Sequence, residues 1–480
     1  MSCATHTVFP RTLEAMPRFF RHISASALQF GLNQALGVLL FFALSRGLSK
    51  DVFGELNWSL AVCLTGYTLL GMGLDALVVK RIASGDDPGA LLSIYRAHVG
   101  WVGVGAYAGV LMLWFLFPGF FKPHLFLPGI ALAKTLLFWA LPYKQLAAGK
   151  ERFGILMRMS IVSTVVKTAA ILVCWATGNW SVPLLTGIFI AGDAAEWGVS
   201  WYLGRGLYTA TATQRLSWVA LVRESLPQAG VVLFSSALSR FDWIFIGIFV
   251  SAARLAEYSF AYKAFEVASL PLLALAPLLV PLFTRWVREM TSDRAEVLHR
   301  LLRAELVMAW GTVLWLNLAW VPVVDPLTGG MYGSVNVRTI FLLSLCLPVT
   351  YLNNYLWTIH FAHGRLGWIL KAFAVGFVLN VVGDVLLIPR FGNEGAAVAF
   401  LGAIFVQTLL YHKGIEEVSV PEAWGTQVLC ALCVGGAMVG TAWLTGWARL
   451  CAASLLYLVG LVLTGRIRPR DFFYLRLRFV

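Results

Sequence analysis

Long apolar segments alternate with short polar connections along most of the sequence. Apolar windows of roughly 18–25 residues, bounded by charged, glycine or proline residues, are typical of transmembrane helices. Fourteen windows of this kind can be drawn, at about 23–45, 56–79, 97–117, 125–147, 155–177, 182–203, 226–250, 256–284, 304–325, 338–361, 367–388, 394–412, 425–445 and 447–465. The pattern therefore predicts an all-α polytopic membrane protein with about 14 transmembrane helices.

The composition agrees with this prediction. Hydrophobic residues make up 59% of the 480 residues and charged residues 13%, about half of the roughly 25% that soluble proteins usually carry. The C-x-x-C pair formed by Cys430 and Cys433 lies inside an apolar window, with no histidine and no second cysteine pair nearby. Zinc sites and redox sites require such further groups, so we predict no metal site.

The net charge of +13 raises the question of nucleic-acid binding. When the polar connections are assigned alternately to two sides of a membrane, most Lys and Arg residues fall on the N-terminal side. Seven fall on the opposite side: Arg46, Lys50, Lys122, Arg254, Arg338, Arg390 and Arg449. An excess of positive charge marks the cytoplasmic side of a membrane protein. We therefore expect both termini to be cytoplasmic and expect no nucleic-acid partner.

The sequence resembles itself at a spacing of about 200 residues. Three matches occur in the same order at equivalent topological positions: Glu55 with Glu257, 152–158 with 365–371, and 178–180 with 392–394. These matches predict two pseudo-symmetric six-helix lobes, with two extra C-terminal helices outside the repeat. Transporters built from parallel repeats bind the substrate between the repeats and rock one against the other. A central cavity between the lobes is therefore expected.

The predicted division of the chain has six parts. They are a basic cytoplasmic N-terminal segment (1–22), an N-lobe of helices 1–6 (23–203), a cytoplasmic linker (204–225), a C-lobe of helices 7–12 (226–412), helices 13 and 14 (425–465), and a basic cytoplasmic tail (466–480).

Ionisable residues deep inside the apolar windows are the candidate functional groups. They are Lys134, Lys167, Asp193 and Glu196 in the N-lobe and Arg240, Asp242, Lys263 and Glu266 in the C-lobe. Each costs roughly 2.5–3.5 kcal/mol on insertion scales, so such residues usually form pairs or serve a function. Asp75 and Asp384 lie nearer the ends of their windows.

The spacing of these residues limits how they can be arranged. Residues three apart share a helix face, as in the Asp193/Glu196 and Lys263/Glu266 pairs. Residues two apart lie about 200° apart around a helix, so Arg240 and Asp242 cannot both face one cavity. We expect Asp242 to point at a neighbouring helix. Mutual neutralisation between helices is the alternative to a functional role.

Several motifs resemble one membrane-protein family. They are Phe53-Gly-Glu-Leu-Asn57, Gly73-Leu-Asp75, Ser239-Arg-Phe-Asp242, Glu257-Tyr-Ser-Phe-Ala-Tyr262 and the segment 387–397. In their order, spacing and helix count they resemble the polysaccharide-unit flippases of the multidrug/oligosaccharidyl-lipid/polysaccharide exporter superfamily. These flippases are relatives of the MATE exporters and of the lipid II flippases. The resemblance covers about residues 20–412. Asp384 departs from it, because relatives more often have an apolar residue or Asn there.

The resemblance implies a transporter, not an enzyme, that moves undecaprenyl-diphosphate-linked oligosaccharides across the bacterial inner membrane for cell-surface polysaccharide synthesis. It implies that cavity cations hold the diphosphate or acidic sugars, and the candidates are Arg240, Lys167, Lys134 and Lys263. No cofactor is implied beyond a transported H⁺ or Na⁺. The candidates for ion coupling or charge pairing are Asp242, Glu266, Asp193, Glu196 and Asp75.

The expected partners are the lipid-linked oligosaccharide, membrane lipids, and polysaccharide polymerase and chain-length proteins. Two alternative functions remain open. One is a MATE-like exporter of cationic drugs that uses Asp193 and Glu196 as coupling acids, and the other is a membrane-embedded glycan polymerase or ligase. The short outer connections in the predicted topology disfavour the enzyme, because they offer no sizeable loop to bind a substrate.

Overall fold

The computed structural model describes residues 31–208, 217–238, 240–272, 283, 292–413, 415 and 420–465. These residues form α-helices joined by short connections, and no strand occurs among them. The predicted all-α class is therefore confirmed. The predicted terminal segments 1–22 and 466–480, residues 209–216 of the predicted linker, and most of the predicted eighth helix beyond residue 272 lie outside the described residues.

We number the helices α1 to α17 in chain order. They are 31–47, Lys50–Leu70, Leu74–Ala83, Pro88–Leu116, Pro118–Phe121, Leu127–Gly149, Phe153–Thr177, Val182–Gly204, Trp218–Leu238, Phe241–Phe249, Ala252–Ala268, Ser292–Thr328, Val337–Ala362, Leu366–Phe391, Asn393–His412, Val420–Gly440 and Gly446–Leu463. In the described part of the chain, nine helical segments are long and apolar enough to cross a membrane, or ten if α2 and α3 form one bent span. The predicted count of 14 is not reached there.

The chain forms two compact units. Unit 1 contains the chain up to Gly47 together with Leu69–Ala229. Within it, α8 packs against α6 and α7, and α6 also contacts α3 and α4. Both α6 and α8 have a proline in their first turn, where a missing N–H costs no helical hydrogen bond. The helices that carry the predicted N-lobe charges are therefore direct neighbours.

Unit 2 contains Leu48–Thr68 and the chain from Gly230 onward. In this unit α15 packs against α13 and α14, and α12 packs against α13, α16 and α17. The two helices predicted outside the repeat correspond to α16 and α17, and they share an apolar core with α12 that includes Leu314, Val434 and Tyr457. The Tyr457 hydroxyl also donates to the Val307 carbonyl oxygen at 2.8 Å.

Two predicted helices are broken. The window at 56–79 is divided between α2 and α3, which are bent by 50° at a turn where Met72 and Gly73 have φ of 50° and 67°. The window at 226–250 is divided between α9, which already begins at Trp218, and α10; Arg240, with φ of −140°, lies outside both helices. The prediction of continuous helices was wrong because both windows are long and apolar overall, although Gly71 and Gly73 flank the first break and Arg240 and Asp242 lie at the second.

One of the three sequence matches of the predicted repeat, 152–158 with 365–371, begins with similar backbone geometry. Glu151 and Gly364 both have positive φ, at 55° and 72°. The arginine after each of them has nearly the same conformation, with φ and ψ of −85° and 58° at Arg152 and −80° and 50° at Arg365. Each arginine precedes a long helix, α7 or α14, that packs against the next helix along the chain.

Helix α2 belongs to unit 2, although α1 and α3 belong to unit 1. Lys50 pairs with Glu257 at 2.6 Å, Asn57 Nδ2 donates to Ser259 Oγ at 3.1 Å, and Trp58 Nε1 donates to the Ile244 carbonyl oxygen at 3.2 Å. A Cβ atom placed on Gly54 would lie 1.8 Å from the Ala252 carbonyl oxygen. The contact with α11 therefore requires glycine at position 54.

Replacing Gly54 by Ala should destabilise the protein, because overpacking a close contact costs about 1–3 kcal/mol. Gly66→Ala is the matched control on the same helix, since no atom lies within 4 Å of a Cβ at Gly66. That change should be neutral or stabilise the helix by up to about 1 kcal/mol. The measurement is the thermal-unfolding midpoint of each purified variant in detergent. Equal midpoints for the two variants would contradict the close approach of α2 to α11.

Candidate functional site

In unit 1, a buried carboxylate on α8 binds two cations. Asp193 is fully buried and accepts from Lys134 Nζ of α6 at 3.0 Å and from Lys167 Nζ of α7. Ser163 Oγ, one turn before Lys167 on α7, donates to the same carboxylate at 2.7 Å. We call Lys134, Ser163, Lys167 and Asp193 the Asp193 cluster. Its members hold three helices together in the interior of the unit.

One turn further along α8, Glu196 pairs with Lys144 of α6 at 2.8 Å. Asp193 and Glu196 thus share a helix face, as their spacing predicted, and both face α6. The sequence analysis did not include Lys144 among the deep charges, although it lies within α6 with a side chain that is 19% exposed. Its position near the end of the apolar window concealed this pairing.

In unit 2, a second carboxylate is shared by two cations. Glu266 of α11 accepts from Arg240 Nη2 at 2.7 Å and from Lys263 Nζ at 2.6 Å. We call Arg240, Lys263 and Glu266 the Glu266 cluster. The Arg240 guanidinium lies 4.4 Å from the Trp243 ring centroid, a distance at which an aromatic face stabilises a cation.

Arg240 keeps one donor without a partner. Its Nη1 atom is buried and has no hydrogen-bond partner among the residues that the structure describes. A buried guanidinium N–H without an acceptor is costly, because its hydrogen bonds to water are lost. An anionic oxygen at this position would satisfy it.

The two clusters have the same charge ratio, with two cations to one carboxylate. In unit 2, Asp242 also interacts electrostatically with Arg240, so the excess of cations over carboxylates is clear only for the Asp193 cluster. The side chains of the two clusters have limited exposure, from 0% at Asp193 to 30% at Glu266. A net positive charge in a poorly solvated environment attracts anions much more strongly than the same charge in water.

Asp242 is not part of the Glu266 cluster. Its Oδ2 atom accepts from the Tyr258 hydroxyl of α11 at 2.5 Å, and its Oδ1 atom accepts from the Trp243 backbone N–H at 2.8 Å. The carboxylate therefore points at a neighbouring helix, as the two-residue spacing from Arg240 predicted.

A further carboxylate, which the sequence analysis noted without assigning it a role, interacts electrostatically with Asp242. Asp384 of α14 is fully buried, and neither of its oxygens has a hydrogen-bond partner within the described ranges. Asn380, one turn earlier on α14, is also fully buried, and both of its side-chain polar atoms are unpartnered there. We call Asp242, Tyr258, Asn380 and Asp384 the Asp242–Asp384 site. Asp242 also interacts electrostatically with Arg240.

Asp75 is separate from these groups. It lies half-buried in the first turn of α3, directly after the bend, where a carboxylate is stabilised by the helix dipole. Tyr95 of α4 interacts with it electrostatically. The structure therefore pairs the four predicted cations with two predicted acids, Asp193 and Glu266. It pairs Glu196 with Lys144 instead, leaves Asp242 with Tyr258 and Asp384, and places Asp75 at a helix terminus.

Comparisons with known proteins point to one family and one fold. The sequence model of the family described as "Polysaccharide biosynthesis protein" matches residues 19–287. A search of curated proteins finds no match.

Several solved transporter structures are similar to this chain. The lipid II flippase MurJ, in an inward closed conformation, matches with a TM-score of 0.73 and 11% identity, covering 92% of this chain and 98% of its own. An inward-facing multidrug resistance MATE family transporter matches with a TM-score of 0.65 and 12% identity, covering 81% and 97%. A superfamily transporter from Pyrococcus furiosus matches with a TM-score of 0.58 and 11% identity, covering 82% and 95%. The fold is therefore that of the multidrug/oligosaccharidyl-lipid/polysaccharide exporter superfamily.

Asp193→Asn should destabilise the protein, because it leaves two buried ammonium groups without a carboxylate. Breaking a buried ion pair from one side costs about 3–5 kcal/mol. Adding Lys167→Met should recover part of this loss by removing one of the stranded charges. Ser163→Ala is the milder comparison, at about 1 kcal/mol. The measurement is the thermal-unfolding midpoint in detergent of the unmodified protein and of the three variants. An unchanged midpoint for Asp193→Asn would rule out the bridging role.

Proposed function

Because the chain belongs to the polysaccharide biosynthesis protein family, we propose that it is a flippase for undecaprenyl-diphosphate-linked oligosaccharide repeat units. It would move them from the inner to the outer leaflet of the bacterial inner membrane by alternating access, with both termini in the cytoplasm. The observations that support this substrate are the ratio of two cations to one carboxylate in the Asp193 cluster of unit 1 and the unpartnered Nη1 atom of Arg240 in unit 2.

The charge ratio supports an anionic substrate more strongly than the sequence does. Among the eight ionisable residues deep inside the apolar windows, four are basic and four are acidic, so their formal charges sum to zero. In the structure, Asp242 is bound by Tyr258 and Glu196 by Lys144. The four candidate cations therefore share two carboxylates. A diphosphate accepts charge-assisted hydrogen bonds from guanidinium and ammonium groups, so it suits the remaining positive charge.

The same contacts disfavour export of cationic drugs through unit 1. Asp193 and Glu196 are the acids that such an exporter would use, and lysine ammonium groups already occupy both. A cationic drug would have to displace a buried lysine from its carboxylate. That exchange leaves the lysine without a counter-charge and costs several kcal/mol.

We further propose that a cation gradient drives the cycle through the Asp242–Asp384 site. Two interacting carboxylates with a buried amide one turn away supply the oxygen atoms that a proton or Na⁺ requires. Intramembrane carboxylates are typical of ion pathways in transporters. The anionic lipid and the coupling cation would then bind to different groups of unit 2.

The expected functional partners are the enzymes that use the flipped unit, namely polysaccharide polymerase and chain-length proteins. Family membership supports this expectation, because a flippase of repeat units must deliver them to a polymerising step.

Arg240→Ala and Lys167→Ala should each abolish transport while the protein remains in the membrane, because each removes a cation from its cluster. Arg240→Lys keeps the charge but loses the forked donor geometry, so we expect partial activity. Lys371→Ala, which removes an exposed cation of α14, is the matched control and should transport normally. The measurement is translocation of a fluorescent undecaprenyl-diphosphate oligosaccharide in proteoliposomes. Normal transport by both alanine variants would overturn the proposed substrate contacts.

Asp242→Asn and Asp384→Asn should remove the acceleration of transport by an ion gradient, because each replaces an ionisable oxygen with a neutral amide. Imposing a proton gradient and a Na⁺ gradient separately across the proteoliposomes identifies the coupling ion. Glu394→Gln, in the first turn of α15, is the control and should retain full stimulation. If Asp384→Asn responds to both gradients as the unmodified protein does, coupling at this site is excluded.

A further inference from the structure

A further buried acid, Glu305, lies on α12. It is outside the clusters described above and beyond the segment that matches the family. Glu305 is 2% exposed, and neither carboxylate oxygen has a hydrogen-bond partner in the described part of the chain. It occupies the same helix face as Leu298, Leu302 and Ala309, which belong to the apolar core between α12 and α13. An acid on the apolar face of a helix needs a specific reason.

The groups that face Glu305 are phenols. Tyr351 and Tyr355, one turn apart on α13, are both fully buried and interact electrostatically with Glu305. The Tyr355 hydroxyl has no hydrogen-bond partner among the described residues, and the Tyr351 hydroxyl lies near the backbone of Leu272. We call Glu305, Tyr351 and Tyr355 the Glu305 cluster.

The nearby cationic side chains of α12 interact with other carboxylates and not with Glu305. Arg303 Nη2 binds Glu422 of α16 at 2.7 Å, and His299 lies 3.7 Å from the other oxygen of Glu422. Arg300 binds Glu296, one turn earlier on its own helix. Glu305 is therefore enclosed by phenols and apolar side chains, unlike Asp193 and Glu266, each of which bridges two cations.

An ionised carboxylate in this environment is costly. Burying an unpaired charge in a low-dielectric interior costs several kcal/mol even after relaxation, and a buried acid takes up a proton to avoid this cost. One carboxylate and two hydroxyls supply too few oxygens for a metal ion.

We propose that Glu305 is a second cation-binding site of unit 2, specific for a proton and separate from the Asp242–Asp384 site. Glu305 holds one proton on its carboxyl group while Tyr351 and Tyr355 enclose it, and it releases that proton to water when the packing of α12 against α13 opens. The step exchanges one proton between the carboxyl group and water and requires no other reactant. It does not depend on the identity of the transported lipid.

Infrared spectroscopy of the purified full-length protein tests the protonation directly. Difference spectra between acidic and alkaline buffer should contain a carbonyl component from a protonated carboxylic acid in an apolar environment, and Glu305→Gln should remove that component. Glutamine keeps the shape and neutrality of the protonated acid, so this variant should fold as well as the unmodified protein. Glu296→Gln, at a largely exposed position on the same helix, is the control and should retain the component. A difference spectrum that is identical in Glu305→Gln and in the unmodified protein would overturn the proposal.

The pH profile of transport in proteoliposomes provides a second readout. Glu305→Gln should flatten this profile, whereas Tyr355→Phe should shift it, because loss of the phenol changes the balance between the two protonation states. A profile that is unchanged in both variants would show that Glu305 only fills space in the core. If the unmodified protein moves no lipid at all, the proposed function fails, while the infrared result still decides whether Glu305 binds a proton.

Discussion

The structure depends on how charge is compensated inside a low-dielectric interior, and the main solution is a carboxylate that binds two cations. Asp193 connects α6, α7 and α8 through Lys134 and Lys167. Glu266 of α11 binds both Lys263 of the same helix and Arg240, which lies directly before α10. An isolated pair of one cation and one carboxylate has no net charge. A shared carboxylate instead stabilises the packing of the helices and leaves positive charge for a ligand.

The buried acids fall into two groups with different surroundings. Asp193, Glu196 and Glu266 bind lysine or arginine, whereas Asp242, Asp384 and Glu305 face hydroxyls, amides or one another. The first group fixes the positions of cations that can hold an anion. The second group has oxygens with no basic side chain bound to them, which is the condition for exchanging a small cation. The proposed lipid and the proposed coupling ions therefore bind to chemically opposite sites.

Much of the fold was predictable, because an apolar window long enough to span a membrane identifies a helix without knowledge of its neighbours. The Lys263–Glu266 pair followed from spacing along one helix. The bridge from Lys134 to Asp193 did not, since these residues are 59 positions apart and only the packing of α6 on α8 joins them. The breaks at Met72 and Arg240 were overlooked, although two glycines flank the first and the second lies at a charged residue within its apolar window. The Asn380–Asp384 pair did have a signal, namely two polar residues one turn apart in an apolar helix.

Membership of α2 in unit 2 makes the order of the chain differ from the order of the units. A chain cut between α8 and α9 would not yield the two units as separate fragments, because the first fragment would retain α2 and the second would lack the partner of Glu257 and Ser259. Each fragment would expose a surface that only the other can cover. Co-expressed halves should therefore recognise each other through α2, and neither half can be treated as an autonomous folding domain.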